Sequence, residues 1–135
     1  MFRVLDVNIG STSFKFQLFE MENESVLAKG LIERVGYQQS PLEYSVKTKD
    51  AMSRLVDTSS GYDSCIKSMT DLLLDKEEGV IERMSEINAI GFKTAHGGEI
   101  RKPSLITNEV IRTMGEYSPV VPAHNPPYIN FFVFI

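Results

Sequence analysis

Three short runs in the first quarter of the chain are apolar and β-prone, and in the second of them hydrophobic and polar positions alternate. These runs cover residues 2–7, 14–19 and 25–33, and short polar stretches separate them. Alternation with a period of two is typical of half-buried strands, and connections this short favour hairpins. We therefore predict a three-stranded antiparallel meander, with a further edge strand at 44–48.

The middle of the chain changes to the spacing of an amphipathic helix. Apolar side chains recur at helical intervals there, and Ser60 and Asp63 have the spacing of a capping box. We predict a helix over about 61–75, with Cys65 on its apolar face. A lone cysteine in that position indicates a buried, inert thiol rather than a nucleophile, and it suits a reducing cytoplasm.

The remainder of the chain mixes helical and extended patterns. Residues 80–84 predict a short helix and residues 87–95 a strand. Thr107 is a candidate N-cap for an amphipathic helix that Gly115 ends. There is no internal repeat, so this order of strands and helices predicts one α/β layered domain.

Composition and charge exclude several classes of function. The chain has 135 residues, 42% of them hydrophobic, which is enough to fill one core. Its 14 Lys and Arg against 18 Asp and Glu give a net charge of -4, so we expect no nucleic-acid or anionic-membrane partner. The N-terminus carries no apolar run typical of a signal peptide or membrane span, and we expect a cytoplasmic protein.

Small and polar residues form a first motif between the first two predicted strands. Gly10 permits a positive φ, and the N–H groups of a tight turn can form an anion-binding concavity beside hydroxyl and ammonium donors. Asn8 is a candidate to hold a Mg²⁺-bound water without placing a carboxylate beside phosphate oxygens. The pattern predicts a phosphate-binding loop, although an ordinary polar hairpin would also account for it. Its residues are Asn8, Gly10, Ser11, Thr12, Ser13 and Lys15.

A second motif lies where the predicted strand 87–95 ends. The paired glycines Gly97 and Gly98 let backbone or ligand approach closely, and Lys93 stands three residues before His96. The cation could face an anion, but a Gly-Gly turn beside a hydrogen-bonded histidine explains the motif equally well.

A third motif combines a histidine with a helix start near the end of the chain. Asn125 can cap a helix that has Pro126 at its first position, which places His124 beside the positive helix end. That is a favourable place for phosphoryl oxygens. A helix cap with an incidental histidine is the alternative.

Taken together and in this order, the three motifs resemble the acetate kinase family. This family belongs to the superfamily of sugar kinases, actin and heat-shock ATPases. Its opening Asn, Gly, Ser/Thr and Lys signature is matched by the first motif, and its HGG segment by His96, Gly97 and Gly98. The resemblance covers residues 1–127 and implies a ribonuclease H-like (actin-like ATPase) N-terminal domain. It fades in the apolar tail, residues 128–135.

The resemblance implies transfer of the γ-phosphate of ATP to a short-chain carboxylate. With Mg²⁺ as cofactor, catalysis would be by in-line positioning and charge neutralisation, and the substrate would supply the nucleophile. His124 would donate a hydrogen bond to the phosphoryl group, with Lys93 as the second catalytic residue. The phosphate, ATP and Mg²⁺ site would be lined by Asn8, Gly10, Ser11, Ser13 and Lys15.

The sequence departs from the family in its predicted substrate pocket, formed by Lys93, Ala95, His96, Gly97, Gly98 and Ala123. Lys93 replaces an arginine of the family, so an ammonium, which acts as a point charge, replaces a guanidinium that can bind an oxyanion through two parallel hydrogen bonds. Ala95 and Ala123 are smaller than the family's Val and Leu. Each extra buried methylene of a substrate is worth about 0.8 kcal/mol, so we predict a preference for propionate or butyrate.

The family's second domain, which supplies the adenosine pocket, is not matched. We therefore expect a truncated chain that is inactive alone, and self-association or a homodimer through the apolar tail 128–135. A non-catalytic phosphate-binding or oligomerising remnant is the main alternative. A sugar kinase of the superfamily is another, but it would normally have Asp in place of Asn8.

Overall fold

The computed structural model describes residues 1–92, 104–116 and 119, and in them one mixed sheet forms the body of the domain. Its strands are ordered β5-β4-β3-β2-β1-β6, antiparallel throughout except that β6 runs parallel to β1. The elements in chain order are β1 (Arg3–Ile9), β2 (Ser13–Glu20), β3 (Ser25–Glu33), β4 (Ser40–Val46), β5 (Lys49–Val56), α1 (Tyr62–Leu74), a 3₁₀ turn (Met84–Glu86), β6 (Ala89–Phe92) and α2 (Asn108–Glu116).

The predicted meander of β1, β2 and β3 is confirmed, but the predicted single edge strand at 44–48 is wrong. Two strands, β4 and β5, form a hairpin there, and residues 47–48 are its turn. The sequence pattern missed β5 because it lies at the sheet edge, where all but two of its residues are exposed. Its two partly buried residues, Met52 and Val56, pack against the core but lie four positions apart, which gives no alternation to detect.

One face of the sheet is the core, and α1 covers it. Hydrophobic side chains from alternate strand positions are buried there with the apolar face of the helix. Gly30 belongs to this face because a Cβ at its position would overlap the ring edge of the buried Phe16. The fully buried residues include Leu5, Val7, Phe14, Leu18, Ile32, Cys65, Ile66, Met69 and Leu73.

The helix predicted over 61–75 is confirmed as α1, but its predicted capping box is not formed. Gly61 is the N-cap, with φ 82° and ψ -148°, and no side chain caps the helix. That φ is open to glycine, so the chain enters the helix one residue after Ser60. Cys65 is buried as predicted, and burial raises the pKa of its thiol to about 12.

The segment after α1 differs from the short helix predicted over 80–84. The amides of Val80 and Ile81 both donate to the Leu73 carbonyl, at 3.1 and 3.2 Å, and only Met84–Glu86 form a 3₁₀ turn. Apolar residues that cover the end of a helix cannot be distinguished from a new helix by periodicity alone. The strand predicted over 87–95 is present as β6, and residues 93–95 lie outside the described part of the chain.

The last described helix begins as predicted and runs past its predicted end. Thr107 Oγ1 accepts a hydrogen bond from the Val110 amide at 3.3 Å, which confirms the N-cap. α2 continues through Gly115 to Glu116, and Met114 is its buried residue. Neither α1 nor α2, the two helices of the described residues, is long and apolar enough to cross a bilayer.

Candidate phosphate-binding site

The first predicted motif forms the connection between β1 and β2. Asn8 and Lys15 are direct cross-strand partners, so their side chains leave the same face of the sheet, and both are exposed. Ser13, at the start of β2, is on that face too because it is two residues from Lys15. Three residues, 10–12, close the hairpin, and the Gly10 amide donates to the Ser13 carbonyl at 2.9 Å. The structure thus brings together Asn8, Gly10, Ser11, Ser13 and Lys15.

Gly10 has a different role from the predicted one. Its φ is outside the left-handed range, so the turn does not require the positive φ that the sequence analysis assigned to it. A Cβ at Gly10 would instead lie 2.5 Å from Ser13 Oγ. A side chain at this position would displace the Ser13 hydroxyl, so glycine leaves that hydroxyl in its place beside the loop.

Two carbonyls of the loop are engaged by donors from elsewhere in the domain. The Tyr62 hydroxyl, at the start of α1, donates to the Gly10 carbonyl at 2.6 Å. The Val35 amide, in the β3–β4 connection, donates to the Thr12 carbonyl at 3.0 Å. These bonds fix the two oxygens that would repel an anion if they pointed at it.

Several hydrogen-bond donors of the same loop have no partner among the described residues. Within residues 1–92, 104–116 and 119, no hydrogen bond is made by the amides of Ser11 and Thr12 or by the hydroxyls of Ser11, Thr12 and Ser13. The Lys15 ammonium likewise forms no ion pair with a described residue. A hairpin that only connects two strands does not need this concentration of donors, so the arrangement is suited to an anion.

The oxygen ligands beside the loop fit a magnesium ion that is held mainly by water and phosphate. Asp6 is two residues before Asn8, on the same exposed face of β1. Mg²⁺ usually keeps several waters and binds one or two carboxylates together with substrate phosphates. A carboxylate and an amide match that preference, and the described residues contain no cluster of three or more acidic, His or Cys side chains that would form a closed metal cage.

The other sequence-predicted site residues lie outside the described part of the chain. These are the two predicted catalytic residues and the rest of the predicted substrate pocket, and the tail 128–135 is outside it as well. Their placement therefore stays a prediction: Lys93, Ala95, His96, Gly97, Gly98, Ala123 and His124.

Sequence reasoning missed the residues that hold the loop from outside. Tyr62 falls within the helix predicted over 61–75, but no pattern marked its hydroxyl for this role, and nothing marked Val35. The Tyr62 contact joins residues 52 positions apart, so no local pattern reports it. The one available signal was a tyrosine at a helix start, since a half-buried tyrosine usually finds a hydrogen-bond partner for its hydroxyl.

Comparison with known proteins gives consistent matches in sequence and fold. The sequence profile of the acetokinase family matches residues 3–133. An acetate kinase from Clostridium kluyveri is 40% identical over 129 residues, which is 94% of this chain and 31% of that protein. The crystal structure of Porphyromonas gingivalis acetate kinase is 34% identical and superposes with a TM-score of 0.81, covering 94% of this chain and 32% of that one.

A more distant structure shows the same fold. The propionate kinase from Francisella tularensis is 24% identical, with a TM-score of 0.80 over 99% of this chain and 33% of that one. Acetate kinases have the actin-like ATPase fold, so the predicted fold class is confirmed. The chain spans about a third of the length of the relatives it matches. The profile match, the sequence identity and the superposition agree, and the chain belongs to the acetate kinase family.

Proposed function

We propose that this chain is the phosphate-binding part of a phosphotransferase that uses ATP and Mg²⁺ to phosphorylate acetate or another short-chain carboxylate. The β1–β2 loop carries the proposal. It offers two amides, three hydroxyls and the ammonium of Lys15, while scaffold donors engage the carbonyls of Gly10 and Thr12. Family membership supplies the reaction class.

In the proposed reaction a carboxylate oxygen attacks the γ-phosphorus of ATP in line. A bond forms between that oxygen and phosphorus, the bridging P–O bond to the β-phosphate breaks, and ADP leaves with the electron pair. Lys15 and the loop donors bind the phosphoryl oxygens and neutralise charge that spreads over them in the transition state. When bound, Mg²⁺ supplies further charge neutralisation, and Asn8 with Asp6 would hold it mainly through water.

The remaining predicted roles belong to the same proposal. His124 donates a hydrogen bond to the transferring phosphoryl group, and Lys93 attracts the carboxylate or phosphoryl group. The small side chains of Ala95 and Ala123 leave room for an acyl chain longer than that of acetate. Comparing acetate, propionate and butyrate as acceptors tests this last point, and equal or better turnover of acetate by a complete enzyme would contradict it.

Titration of the chain with acetyl phosphate and with ATP·Mg²⁺ tests phosphate binding. We expect ¹H–¹⁵N shifts in residues 8–15, and a Kd for Lys15→Ala raised at least tenfold, because a hydrogen bond to a charged group contributes about 1.5–3 kcal/mol. Lys29→Ala is the matched control: Lys29 is an exposed lysine of β3, opposite Gln17 on the same face. Equal effects of the two substitutions, or no binding, would refute the proposal.

Hydroxamate detection of acyl phosphate tests catalysis separately. With ATP, Mg²⁺ and acetate, acyl phosphate formed faster by the chain than by the His124→Ala variant would show catalysis by the chain itself, which we do not expect of a part that spans about a third of its relatives' length. Phosphate binding without acyl phosphate is therefore the expected result, and the alternative of a non-catalytic phosphate-binding module shares it.

A further inference from the structure

The phosphate loop is oriented by contacts that it does not make itself. An anion is bound by N–H groups only if the neighbouring carbonyls point elsewhere, and a three-residue loop has little means of enforcing this alone. Here the Gly10 carbonyl accepts from Tyr62 and the Thr12 carbonyl from the Val35 amide. The orientation of the loop is therefore set by whatever fixes those two donors.

Thr58 fixes the first donor, the Tyr62 hydroxyl, through the turn that leads into α1. The Thr58 carbonyl accepts from the Gly61 amide at 2.8 Å, and Gly61 has the positive φ that directs the chain into the helix. Tyr62 is the next residue, so its ring leaves the helix start toward Gly10.

Thr58 also fixes the second donor, the Val35 amide, through a buried pair of hydroxyls. Ser40 and Thr58 are both fully buried, and their side-chain oxygens are 2.5 Å apart. The Ser40 hydroxyl donates to the Arg34 carbonyl at 2.8 Å, and Thr58 Oγ1 accepts from the Gly36 amide at 3.0 Å. These bonds hold the backbone on both sides of Val35.

The β3–β4 connection needs this support because its backbone is strained. Arg34 has φ 56°, a left-handed conformation that a residue with a Cβ rarely adopts, and Gly36 has φ 107°. The amide of Thr58 adds a further bond to the Tyr37 carbonyl at 2.9 Å. Several hydrogen bonds thus hold the strained backbone of the β3–β4 connection in one conformation at the point where Val35 contacts the phosphate loop.

We propose that Tyr62 and the Ser40–Thr58 hydroxyl pair are positioning residues for phosphate binding. This inference rests on the proposed function. Thr58 is the common origin of both supports, which keep the carbonyls of Gly10 and Thr12 turned away from the ligand. The Gly10 carbonyl shares its peptide plane with the Ser11 amide, so the bond from Tyr62 also directs that amide toward the ligand.

Two pairs of variants separate positioning from folding. Tyr62→Phe removes the hydroxyl bonded to Gly10, and Tyr37→Phe is its control, since Tyr37 is exposed and its hydroxyl makes no bond with a described residue. Thr58→Val removes the buried hydroxyl at nearly constant shape, whereas Thr58→Ser restores it. For each variant we would measure the Kd for acetyl phosphate and for ATP·Mg²⁺, the amide shifts of residues 10–13, and the urea midpoint.

We expect Tyr62→Phe to raise both Kd values about fivefold, because it loses the one hydrogen bond to Gly10. Thr58→Val loses the contacts of Thr58 Oγ1 with Gly36, Ser40 and Tyr37, so we expect at least as large a rise, and both variants should shift the loop amides. Tyr37→Phe and Thr58→Ser should remain within twofold of the parent chain. Unchanged Kd values and amide shifts in Tyr62→Phe would overturn the inference, as would a loss of affinity in all four variants that follows the urea midpoint.

Failure of the proposed function is distinguishable from failure of this inference. If the parent chain binds neither phosphate compound, the function is refuted, and the amide shifts alone decide the positioning role. Changes in the amide chemical shifts of residues 10–13 that occur only in Tyr62→Phe and Thr58→Val would then support the positioning role. Changes of equal size in Tyr37→Phe and Thr58→Ser would overturn it.

Discussion

Replacement of Gly10 by alanine should separate the stability of the domain from its phosphate binding. The Gly10 backbone is outside the left-handed range, so alanine fits the main chain. The new Cβ would lie 2.5 Å from Ser13 Oγ but 3.8 Å from Ser13 Cβ, an ordinary contact. Only the Ser13 hydroxyl has to move, by rotation to another staggered position.

The two effects have opposite signs. Gly→Ala at a compatible site stabilises by about 0.4–1 kcal/mol through the unfolded chain, and an unfavourable serine rotamer offsets up to a similar amount. We therefore expect the free energy of unfolding to change by less than about 1 kcal/mol. Loss of the Ser13 hydroxyl as a phosphate donor should cost about 1.5–3 kcal/mol of binding, or about 10- to 150-fold in Kd.

A double-mutant cycle tests this reasoning. Urea unfolding gives the stability of each variant, and titration with acetyl phosphate gives its Kd. If Gly10→Ala acts by displacing the Ser13 hydroxyl, it should have little further effect in a Ser13→Ala background. Additive effects on Kd, unchanged binding by Gly10→Ala, or a loss of more than about 1 kcal/mol in stability would each refute the argument.

Three further predictions concern the core. Gly30→Ala should destabilise by about 1–3 kcal/mol in urea unfolding, since its Cβ overlaps the Phe16 ring, and Phe16→Leu should relieve most of that cost. Cys65 should resist iodoacetamide at pH 8, as seen by mass spectrometry, until urea unfolds the chain; labelling of the folded protein would contradict its burial. Burial, then the charge of Glu78, raises the pKa of Tyr44 to about 12, and burial does the same for Cys65. Both pKa values are higher in the folded than in the unfolded chain, so burial of the two protonated groups contributes its full stability below pH 9, and this contribution is lost as the pH rises to 12. Over that range the urea midpoint of Tyr44→Phe should fall less steeply than that of the parent chain.

The parts of the fold that follow from short-range rules could be predicted. Apolar, β-prone runs located β1 to β3, with clear alternation in β2, and the hairpin rule placed Asn8 and Lys15 at the same end of the sheet, where the structure pairs them. The apolar stripe located α1, and Thr107 marked the start of α2. Each of these signals comes from residues within a few positions of one another.

The parts of the fold and of the site that depend on contacts between distant residues, or on the dihedral angles of single residues, could not be predicted. β5 buries too little to leave a pattern, and the glycine cap at Gly61 replaced the expected serine. The role of Gly10 depends on where the Ser13 hydroxyl lies, and the support from Thr58 depends on a partner 18 positions away. No hydrophobic period encodes such contacts.

The hydrogen bond from Tyr62 to Gly10 has a consequence for folding order. The strands β1 to β5 are joined by hairpins that can form locally within microseconds, whereas the Tyr62 bond closes a span of 52 residues. The loop therefore reaches its final geometry only when α1 docks on the completed meander. With phosphate bound as proposed, affinity for it would be acquired among the last events of folding, and the bound phosphate would selectively stabilise the fully docked state.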